Sequence, residues 1–326
     1  YHLQHDGIMC IVLPHGVLFR GGEEGQIRRN LVENDKIDAI IGLPANIFFG
    51  TGIPTIVMVL KKNRDNSDIL IIDASKGFVK EGKNNKLRAS DIRRIVDAYE
   101  AREDIERFCR SVPKQEVRDN DYNLNIPRYV DSSEAAESWD IYATMFGGIP
   151  TSEIDALVPY WDAFSDLRSE LFENVNEASM RLKTDDVADA IRACMSVRDF
   201  TDKYRSRFGD FGMWLYDELV DEATLVSRDQ EESILADEVF RRLEGIPLVD
   251  RYDAYQMLDD TWQQIVIDLE IIQTEGFDAV RRVDPNMVVK KKKGKDVEVQ
   301  DGWIGRVLPF ELVQHEICLL YTSDAA

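Results

Sequence analysis

Three apolar runs within the first 62 residues constrain the fold of this 326-residue chain more than any other feature of its sequence. The runs cover residues 8–13, 37–43 and 54–60, and a helix-like stretch and a loop with several glycines separate them. Continuous apolar runs of this length are typical of strands that are buried on both faces of a sheet. We therefore expect an α/β fold that contains the second half of a doubly wound sheet and ends in a hairpin.

The lengths of the connections predict how these strands pair. Residues 24–33 are predicted to form a helix, because Ile27 and Leu31 lie four residues apart. The ten residues between the second and third runs are too few for a parallel crossover, so these two strands are predicted to be antiparallel neighbours. Residues 68–73 predict a fourth strand at an edge of the sheet. Residues 91–99 and 103–110 predict two helices.

The end of the first strand carries candidates for a cleft loop. Pro14 ends this strand, because proline cannot donate a hydrogen bond to a neighbouring strand. His15 follows it directly, and active-site residues of open α/β sheets collect at such positions. The glycines after it have the spacing GGxxG without a following Lys-Ser/Thr, which favours a flexible cap of the next helix over a phosphate cradle. Asn125 lies in a stretch rich in aromatic and amide side chains, which either satisfy loop backbone or contact a polar ligand or DNA.

The loop between the second and third apolar runs is the strongest chemical candidate in the sequence. It contains two adjacent aromatics, Phe48 and Phe49, followed by Gly50 and Thr51. Neighbouring residues in extended backbone point to opposite faces, so one phenylalanine would fill the core while the other faces a cleft. A phenylalanine beside a cleft can stack on a flat ring such as a nucleic-acid base. The alternative is that both aromatics fill the core.

Charge and cysteine usage limit the classes of function. The net charge is −21; residues 1–130 carry 20 basic and 19 acidic residues, whereas the remainder carries 20 and 42. Because DNA is a polyanion, the acidic part is not expected to supply the main DNA-contacting surface. The four cysteines are far apart and form no CxxC pair, so we expect neither disulfides nor a zinc site and place the chain in the reducing cytoplasm. No apolar stretch approaches the length of a membrane span.

The second half of the sequence predicts a mainly α-helical region. An acidic linker is expected at 132–138, and helices are predicted at 154–182, 187–211, 233–243 and 254–272. Residues 288–299 predict a hairpin with a basic tip, which is either solvated or in contact with DNA phosphate. The predicted domains are 1–132, 133–286 and 287–319, the last with the hairpin and the start of a final helix. Residues 320–326 break the pattern and are interpreted as non-native sequence.

Several long motifs resemble one known family. The segment VLPHGVLFRGGEEGQIRRNLVENDKIDAIIGLPANIFFGTGIPTIVMVLKKN, followed by IIDASKGF and DYNLNIPRYVD, is similar to the modification subunit of type I restriction–modification systems. Members of that family are S-adenosylmethionine-dependent DNA methyltransferases that act on the exocyclic amine of adenine. The resemblance implies that the first 132 residues are the rear half of a Rossmann-like methyltransferase domain. It also implies DNA, the type I specificity subunit and a restriction/translocase subunit as partners.

The resemblance also defines what is missing from this sequence. The family's Asn-Pro-Pro-aromatic motif does not occur in the chain, and the cofactor loop is expected upstream of Tyr1. We therefore expect a fragment without catalytic activity of its own. Phe48 or Phe49 lies where the family has the aromatic wall of its adenine pocket. The alternative is a non-catalytic interaction module that assembles a DNA-modifying complex through its acidic helices.

Overall fold

The computed structural model describes residues 3–133 and 140–307, apart from 142–144, 146, 177, 222, 224–226 and 293–294. The chain divides into two compact units, Tyr1–Trp139 and Asp140–Ala326. The first unit is a mixed sheet with helices on both faces. The second unit contains most of the helices, together with a small sheet and a long hairpin.

The first unit consists of short strands and helices that follow one another along the chain. Its strands are β1 (Ile8–Pro14), β2 (Ile37–Gly42), β3 (Thr55–Lys61), β4 (Ile69–Asp73), β5 (Val79–Glu81), β6 (Asn84–Lys86) and β7 (Cys109–Val112). Its helices are α1 (Gly22–Glu33), α2 (Ala89–Ala101) and α3 (Lys114–Asp119), with short 3₁₀ turns at His15–Leu18 and Ile126–Arg128.

Five of these strands form the sheet, in the order β1-β3-β2-β4-β7. Strands β2 and β3 pair antiparallel, which confirms the prediction from their short connection. Strand β3 is also antiparallel to β1, whereas β2 and β4 are parallel. It follows that β1, β2 and β4 run in one direction and that their carboxyl ends meet at one edge of the sheet. Open α/β sheets bind their ligands at this edge.

Helices cover both faces of the sheet because its apolar side chains alternate in direction. Ile40 and Ile71 belong to the core on the face that also contains Val32 of α1. Their chain neighbours Ile41 and Ile72 belong to the opposite core, which contains Ala98 of α2. The two-residue period of a strand thus turns a continuous apolar run into two separate cores.

Three predictions for the first unit are wrong. Strand β1 is not buried on both faces: it pairs only with β3, and its Ile8 and Val12 are 57% and 50% exposed. Strand β4 is not at an edge, because it lies between β2 and β7 and is buried along its whole length. Residues 103–110 do not form a helix. They form a turn into β7, in which the backbone N–H groups of Phe108 and Cys109 both donate to the carbonyl of Ile105.

The second unit contains eight described helices and two separate β structures. The helices are α4 (Thr151–Asp155), α5 (Val158–Ala163), α6 (Leu167–Leu171), α7 (Val187–Ala193), α8 (Met195–Phe208), α9 (Phe211–Tyr216), α10 (Arg228–Leu243) and α11 (Arg251–Glu275). Strands β8 (Ile149–Pro150), β9 (Phe172–Asn174) and β10 (Ser179–Leu182) form a small antiparallel sheet, and β11 (Val283–Lys292) pairs with β12 (Lys295–Gly305).

The predicted long helices of this unit are only partly present. The helix predicted over 154–182 is broken into α4, α5 and α6, and its last part forms β9 and β10. The helix predicted over 187–211 is interrupted at Cys194, whose extended backbone (ψ 134°) separates α7 from α8. The predicted helices at 233–243 and 254–272 and the predicted hairpin are confirmed.

Other predictions fall on residues that the structure does not describe. The final helix after residue 307 and the tail at 320–326 are in this class, as is most of the predicted linker. The cysteines at positions 10, 109 and 194 are unpaired. Within the described ranges, no helix is both long enough and apolar enough to cross a bilayer.

Candidate functional site

A small cavity lies at the edge of the sheet where β1, β2 and β4 end. Its volume is about 190 Å³. The first residues after the strands line it, namely His15 after β1, Leu43 after β2 and Ser75 shortly after β4. Thr55 at the start of β3 and Ile126 from the 3₁₀ turn also line it. The parallel direction of β1, β2 and β4 is what brings these distant parts of the sequence together.

Neighbouring residues fix the backbone and the ring of His15. Its N–H donates to the carbonyl of Pro54 at 3.1 Å, and its ring meets Phe19 edge-on with 5.9 Å between the ring centroids. Its Nε2 is buried and has no hydrogen-bond partner within the described part of the chain. Burial lowers the pKa of His15, and the negative charge of Asp73 opposes this effect only in part. The imidazole is therefore neutral at pH 7, with one nitrogen able to donate and the other able to accept.

Two further buried polar atoms at this edge have no partner among the described residues. They are Oγ1 of Thr55, which lines the cavity, and Oδ1 of Asn125, which directly precedes the lining residues Ile126 and Pro127. A buried polar atom without a hydrogen bond costs about 1–3 kcal/mol. Such atoms cluster where a ligand supplies the missing partner, so this edge has the chemistry of a binding site.

Asp73 has its carboxylate held by neighbouring groups. One carboxylate oxygen accepts the backbone N–H of Ser75 at 3.1 Å, and the other accepts the hydroxyl of Ser132 at 2.6 Å. The backbone N–H of Asp73 itself donates to the carbonyl of Phe108 at 2.7 Å. These bonds fix a negative charge in the wall of the cavity.

Gly42 is required by close packing at the end of β2. A Cβ atom at this position would lie 2.6 Å from Cδ1 of Ile126, closer than non-bonded carbon atoms approach. The carbonyl of Gly42 also accepts the backbone N–H of Ala74 at 3.0 Å, which ties the ends of β2 and β4 together. The missing side chain lets the 3₁₀ turn at Ile126–Arg128 pack against the sheet and close one side of the cavity.

The loop that carries Phe48 and Phe49 leaves the cavity wall at Leu43 and returns to it at Pro54. Phe49 is 95% exposed and Phe48 is 40% exposed, so neither fills the core. The sequence predicted that one or both of these rings fill the core. Both alternatives are wrong on this point, because the core contains neither ring. Gly50 follows with a φ of +80°, which a side chain would disfavour, and Thr51 donates its N–H to the carbonyl of Phe48 at 3.4 Å. A tight turn thus presents the two rings to solvent.

The hairpin of β5 and β6 supports the base of this aromatic loop. The backbone N–H of Asn85 donates to the carbonyl of Asn46 at 2.9 Å, and its side-chain amide donates to the carbonyl of Ala45 at 2.7 Å. Asn46 has a positive φ of 55°, which asparagine tolerates better than most residues. The loop therefore has a fixed base and an exposed aromatic tip.

Only part of this site could be recognised in the sequence. The structure brings His15 to the cavity, places Pro14 and Asn125 directly beside residues that line it, and connects the aromatic loop to its wall. Gly42, Thr55 and Asp73 were not recognised. A signal was present for each: Gly42 interrupts an apolar strand, and Thr55 and Asp73 are polar residues at the ends of buried runs.

The fold and the edge cavity define an α/β protein with a small site at the carboxyl ends of its strands. Residues 1–138 match the model of the family N-6 DNA Methylase.

Curated relatives of the chain are methylase subunits of type I restriction enzymes. The chain is 36% identical over 188 residues to the type I restriction enzyme MpnII methylase subunit of Mycoplasma pneumoniae, covering 57% of this chain and 33% of that protein. It is 47% identical over 137 residues to the MjaVII methylase subunit of Methanocaldococcus jannaschii, covering 40% of this chain and 24% of that protein. The chain thus spans about a third or less of the length of these relatives.

A solved structure is also similar to part of the chain. It is the type I restriction–modification system methyltransferase subunit from Streptococcus thermophilus. The sequence identity is 57%, the TM-score is 0.40, and the match covers 40% of this chain and 28% of that protein.

Proposed function

We propose that the first unit forms one wall of the target-base pocket in a site-specific adenine-N6 DNA methyltransferase of a type I restriction–modification system. The observation that carries this proposal is the aromatic loop, which starts and ends in the wall of a cavity. Buried polar atoms of His15 and Thr55 line this cavity and have no hydrogen-bond partner among the described residues. On this proposal, the five-stranded sheet is the rear part of a Rossmann-like methyltransferase domain. The match of residues 1–138 to the family N-6 DNA Methylase supports the reaction class.

The size and chemistry of the cavity suit a small flat ring. Its 190 Å³ is below the range of about 300–1,000 Å³ that is usual for drug-sized ligands. The neutral imidazole of His15 and the hydroxyl of Thr55 each offer a hydrogen-bond donor and an acceptor, as the edge of a base requires. The exposed ring of Phe49 offers a stacking surface, and a base reaches it only after leaving the duplex.

The glycine-rich segment of the first unit does not fit S-adenosylmethionine, the cofactor that the family implies. The glycine-rich segment of this unit lines a cavity of about 460 Å³ together with Arg28, Arg29 and Arg128. Three guanidinium groups oppose binding of the positively charged sulfonium of the cofactor. Moreover, Gly21 and Gly22 follow a 3₁₀ turn instead of the end of a strand. We therefore assign no step of the reaction to a cofactor held by these residues.

This chain on its own is proposed to be inactive, with the cofactor bound elsewhere in the complete methylase. The support is that the 326 residues contain no Asn-Pro-Pro-aromatic sequence, which amino-methyltransferases use to hold the target amine. Transfer of labelled methyl groups from S-adenosylmethionine to DNA by the purified chain would contradict this proposal.

The proposed partners are DNA, the type I specificity subunit and a restriction/translocase subunit. The helices of the second unit are proposed to dock the specificity subunit. The acidic charge of this half of the chain supports a protein partner over direct contact of its helices with DNA.

The decisive experiment uses the complete methylase assembled with its specificity subunit. Methyl transfer is measured on DNA that carries the target site, for the wild type and for Phe49→Ala. Loss of stacking worth about 1–3 kcal/mol lowers kcat/KM by about 5- to 150-fold. Phe277→Ala is the matched control, because this phenylalanine of the second unit is also exposed, at 59%. Equal activity of the Phe49→Ala and wild-type enzymes would contradict the proposed pocket and favour a non-catalytic interaction module.

A further inference from the structure

A second cavity of the first unit has a positively charged wall. Its volume is about 460 Å³, and three arginines line it: Arg28, Arg29 and Arg128. We call it the arginine cavity. Among its described lining residues Asp121 is the one acid, so the wall carries three positive charges and one negative charge. Glu23 and Glu24, the acids in the first turn of α1, do not line it.

Arg28 is a buried cation in this wall. It is 7% exposed, and its Nε and Nη1 donate to the carbonyls of Tyr122, Val17 and Arg20 at 2.6, 2.7 and 3.0 Å. Within the described part of the chain, its Nη2 donates no hydrogen bond and no carboxylate forms an ion pair with its guanidinium. A buried charge without a counter-ion is costly, so an anion in the cavity would stabilise this arrangement.

The other two arginines are exposed to solvent. Arg29 pairs with Asp121 at 3.2 Å, and its guanidinium carbon lies 4.6 Å from the centroid of the Tyr122 ring. Arg128 ends the second 3₁₀ turn, and its side chain has no ion pair or hydrogen bond to the residues that the structure describes. The planar fork of a guanidinium matches the geometry of a phosphate group, so Arg128 is available to bind one.

The start of α1 forms another part of the wall. Gly21, Gly22 and Gly25 line the cavity. Gly21 is the N-cap residue, and glycine has no side chain that could accept the N–H groups of the first turn. Such N–H groups attract anions, and glycines let an anion approach the backbone. The spacing of these glycines favoured a flexible cap over a phosphate cradle, but Arg128, which is distant in the sequence, adds the charge that a cradle requires.

The arginine cavity is next to the edge cavity that His15 and Thr55 line. Phe19 lines the arginine cavity, and its ring is the one that meets His15 edge-on. Pro127 lines the edge cavity, whereas the next residue, Arg128, lines the arginine cavity. Phe19 and the second 3₁₀ turn therefore lie between the two cavities.

We propose that the arginine cavity binds a backbone phosphate of the DNA strand whose base enters the edge cavity. This inference rests on the proposed function, in which the edge cavity takes the target base. A flipped base stays joined to its sugar and to the flanking phosphates, so its entry brings a phosphate to the neighbouring surface. That phosphate supplies the counter-ion that Arg28 lacks and accepts hydrogen bonds from Arg128. The contact positions the strand without reading its sequence.

The test is a double-mutant cycle between Arg128 and single DNA phosphates, in the complete methylase assembled with its specificity subunit. Fluorescein-labelled duplexes carry the target site, and a neutral methylphosphonate replaces one phosphate at a time on either side of the target adenine. Anisotropy measures the Kd of each duplex for the wild type and for Arg128→Gln. On the unmodified duplex, Arg128→Gln is expected to weaken binding about tenfold and to lower the slope of log K against log salt by about 0.9. At one phosphate that flanks the target adenine, the methylphosphonate weakens binding by the wild type about tenfold and leaves binding by the variant nearly unchanged.

Arg205→Gln on α8 is the matched control, because Arg205 is also exposed and the substitution removes the same charge. Its effect is expected to be additive with that of every methylphosphonate. Arg128→Gln should leave the urea midpoint of the methylase unchanged, since this exposed side chain has no contact to lose within the described ranges. Weaker DNA binding by this variant therefore reports a lost phosphate contact instead of unfolding.

Three results would overturn the proposal: additive losses for Arg128→Gln at every phosphate, coupling only at phosphates distant from the target adenine, or equal losses in Arg128→Gln and the control. The binding assay requires no methyl transfer. Unchanged methyl transfer by Phe49→Ala refutes the base pocket, whereas absent coupling at Arg128 refutes the phosphate site, so the two failures are distinguishable.

Discussion

Arg64 donates from Nε to Oδ1 of Asp38 at 3.1 Å, and the two side chains are only 2% and 4% exposed. The same carboxylate also receives Lys61 at 2.9 Å and Arg102 at 3.0 Å. Asp38 lies in β2, Lys61 ends β3, and Arg102 follows α2, so one buried acid joins the sheet to the helix on its face. The cluster lies at the start of β2 and the end of β3, away from the strand ends that line the candidate site.

We expect Asp38→Asn to destabilise the first unit by about 3–5 kcal/mol, because it leaves the buried guanidinium of Arg64 and its neighbours without their counter-ion. Urea denaturation of the chain measures this change in the free energy of unfolding. Asp65→Asn is the control, since Asp65 is exposed and adjacent to Arg64. A change below about 1 kcal/mol for Asp38→Asn would show that the cluster contributes little.

The stability of the first unit should also fall in acid because of Asp38. Burial alone raises the pKa of this carboxyl, but hydrogen bonds from Lys61 and Tyr99 and the charge of Arg102 outweigh burial and hold the pKa below its usual value of 3.8. An acid with a lowered pKa stabilises the fold above its unfolded-state value, and the contribution disappears as pH falls through the folded-state value. Urea midpoints measured below about pH 4 should therefore drop more steeply for the wild type than for Asp38→Asn.

Gly42→Ala should destabilise the first unit by about 1–3 kcal/mol, because the new methyl group overlaps Cδ1 of Ile126. Gly21→Ala is the control, since nothing lies within 4 Å of a Cβ at that position. The double variant Gly42→Ala/Ile126→Ala separates the overlap from other effects. If the overlap is the cause, the double variant loses less stability than the two single variants lose together. Thermal unfolding of the three variants measures these losses.

Trp262 of α11 provides a test of the second unit. Its side chain is 1% exposed and packs with Leu235 of α10 and with Val266. Trp262→Ala is expected to cost about 3–5 kcal/mol. Trp262→Phe should cost much less, because the indole N–H has no partner within the described ranges and its removal breaks no hydrogen bond. Equal losses in the two variants, measured by guanidinium denaturation, would contradict this explanation.

Phe49→Ala should leave the free energy of unfolding within about 0.5 kcal/mol of the wild type, because the ring is 95% exposed. Ile56→Ala is the contrasting variant: Ile56 of β3 is fully buried, and its truncation should cost about 2–5 kcal/mol. Calorimetric unfolding of both variants provides the comparison. A large loss of stability in Phe49→Ala would mean that a fall in methyl transfer reports folding and not the base pocket.

The apolar runs of the sequence determined where the buried strands lie. Residues 37–43 and 54–60 correspond to β2 and β3, and their short connection correctly predicted antiparallel pairing. The family motifs also predicted the match of residues 1–138 to the family N-6 DNA Methylase. The long helix α11 and the basic hairpin were predicted because their periodicities extend over many residues.

Tertiary structure alone decided which strand lies at an edge, and on this point the sequence was misleading. The runs in β1 and β4 are equally apolar, yet β1 has one neighbour and β4 has two. Hydrophobicity reports that a strand can be buried, whereas pairing depends on partners that are distant in the sequence. The same reason explains β7, whose residues form a strand because they pair with the edge of β4 that β2 leaves unpaired.

For the candidate site too, the sequence determined one part and the tertiary structure another. The sequence by itself determined an aromatic pair followed by Gly50 and Thr51 and a histidine after a strand, because these are local patterns. Only the tertiary structure decided that Thr55 and Asp73 join His15 in one cavity, since three strands must end at the same edge to bring them together. It also decided that Phe48 and Phe49 are exposed: the two cores of the sheet are filled by other side chains, and the tight turn at Gly50 directs both rings to solvent.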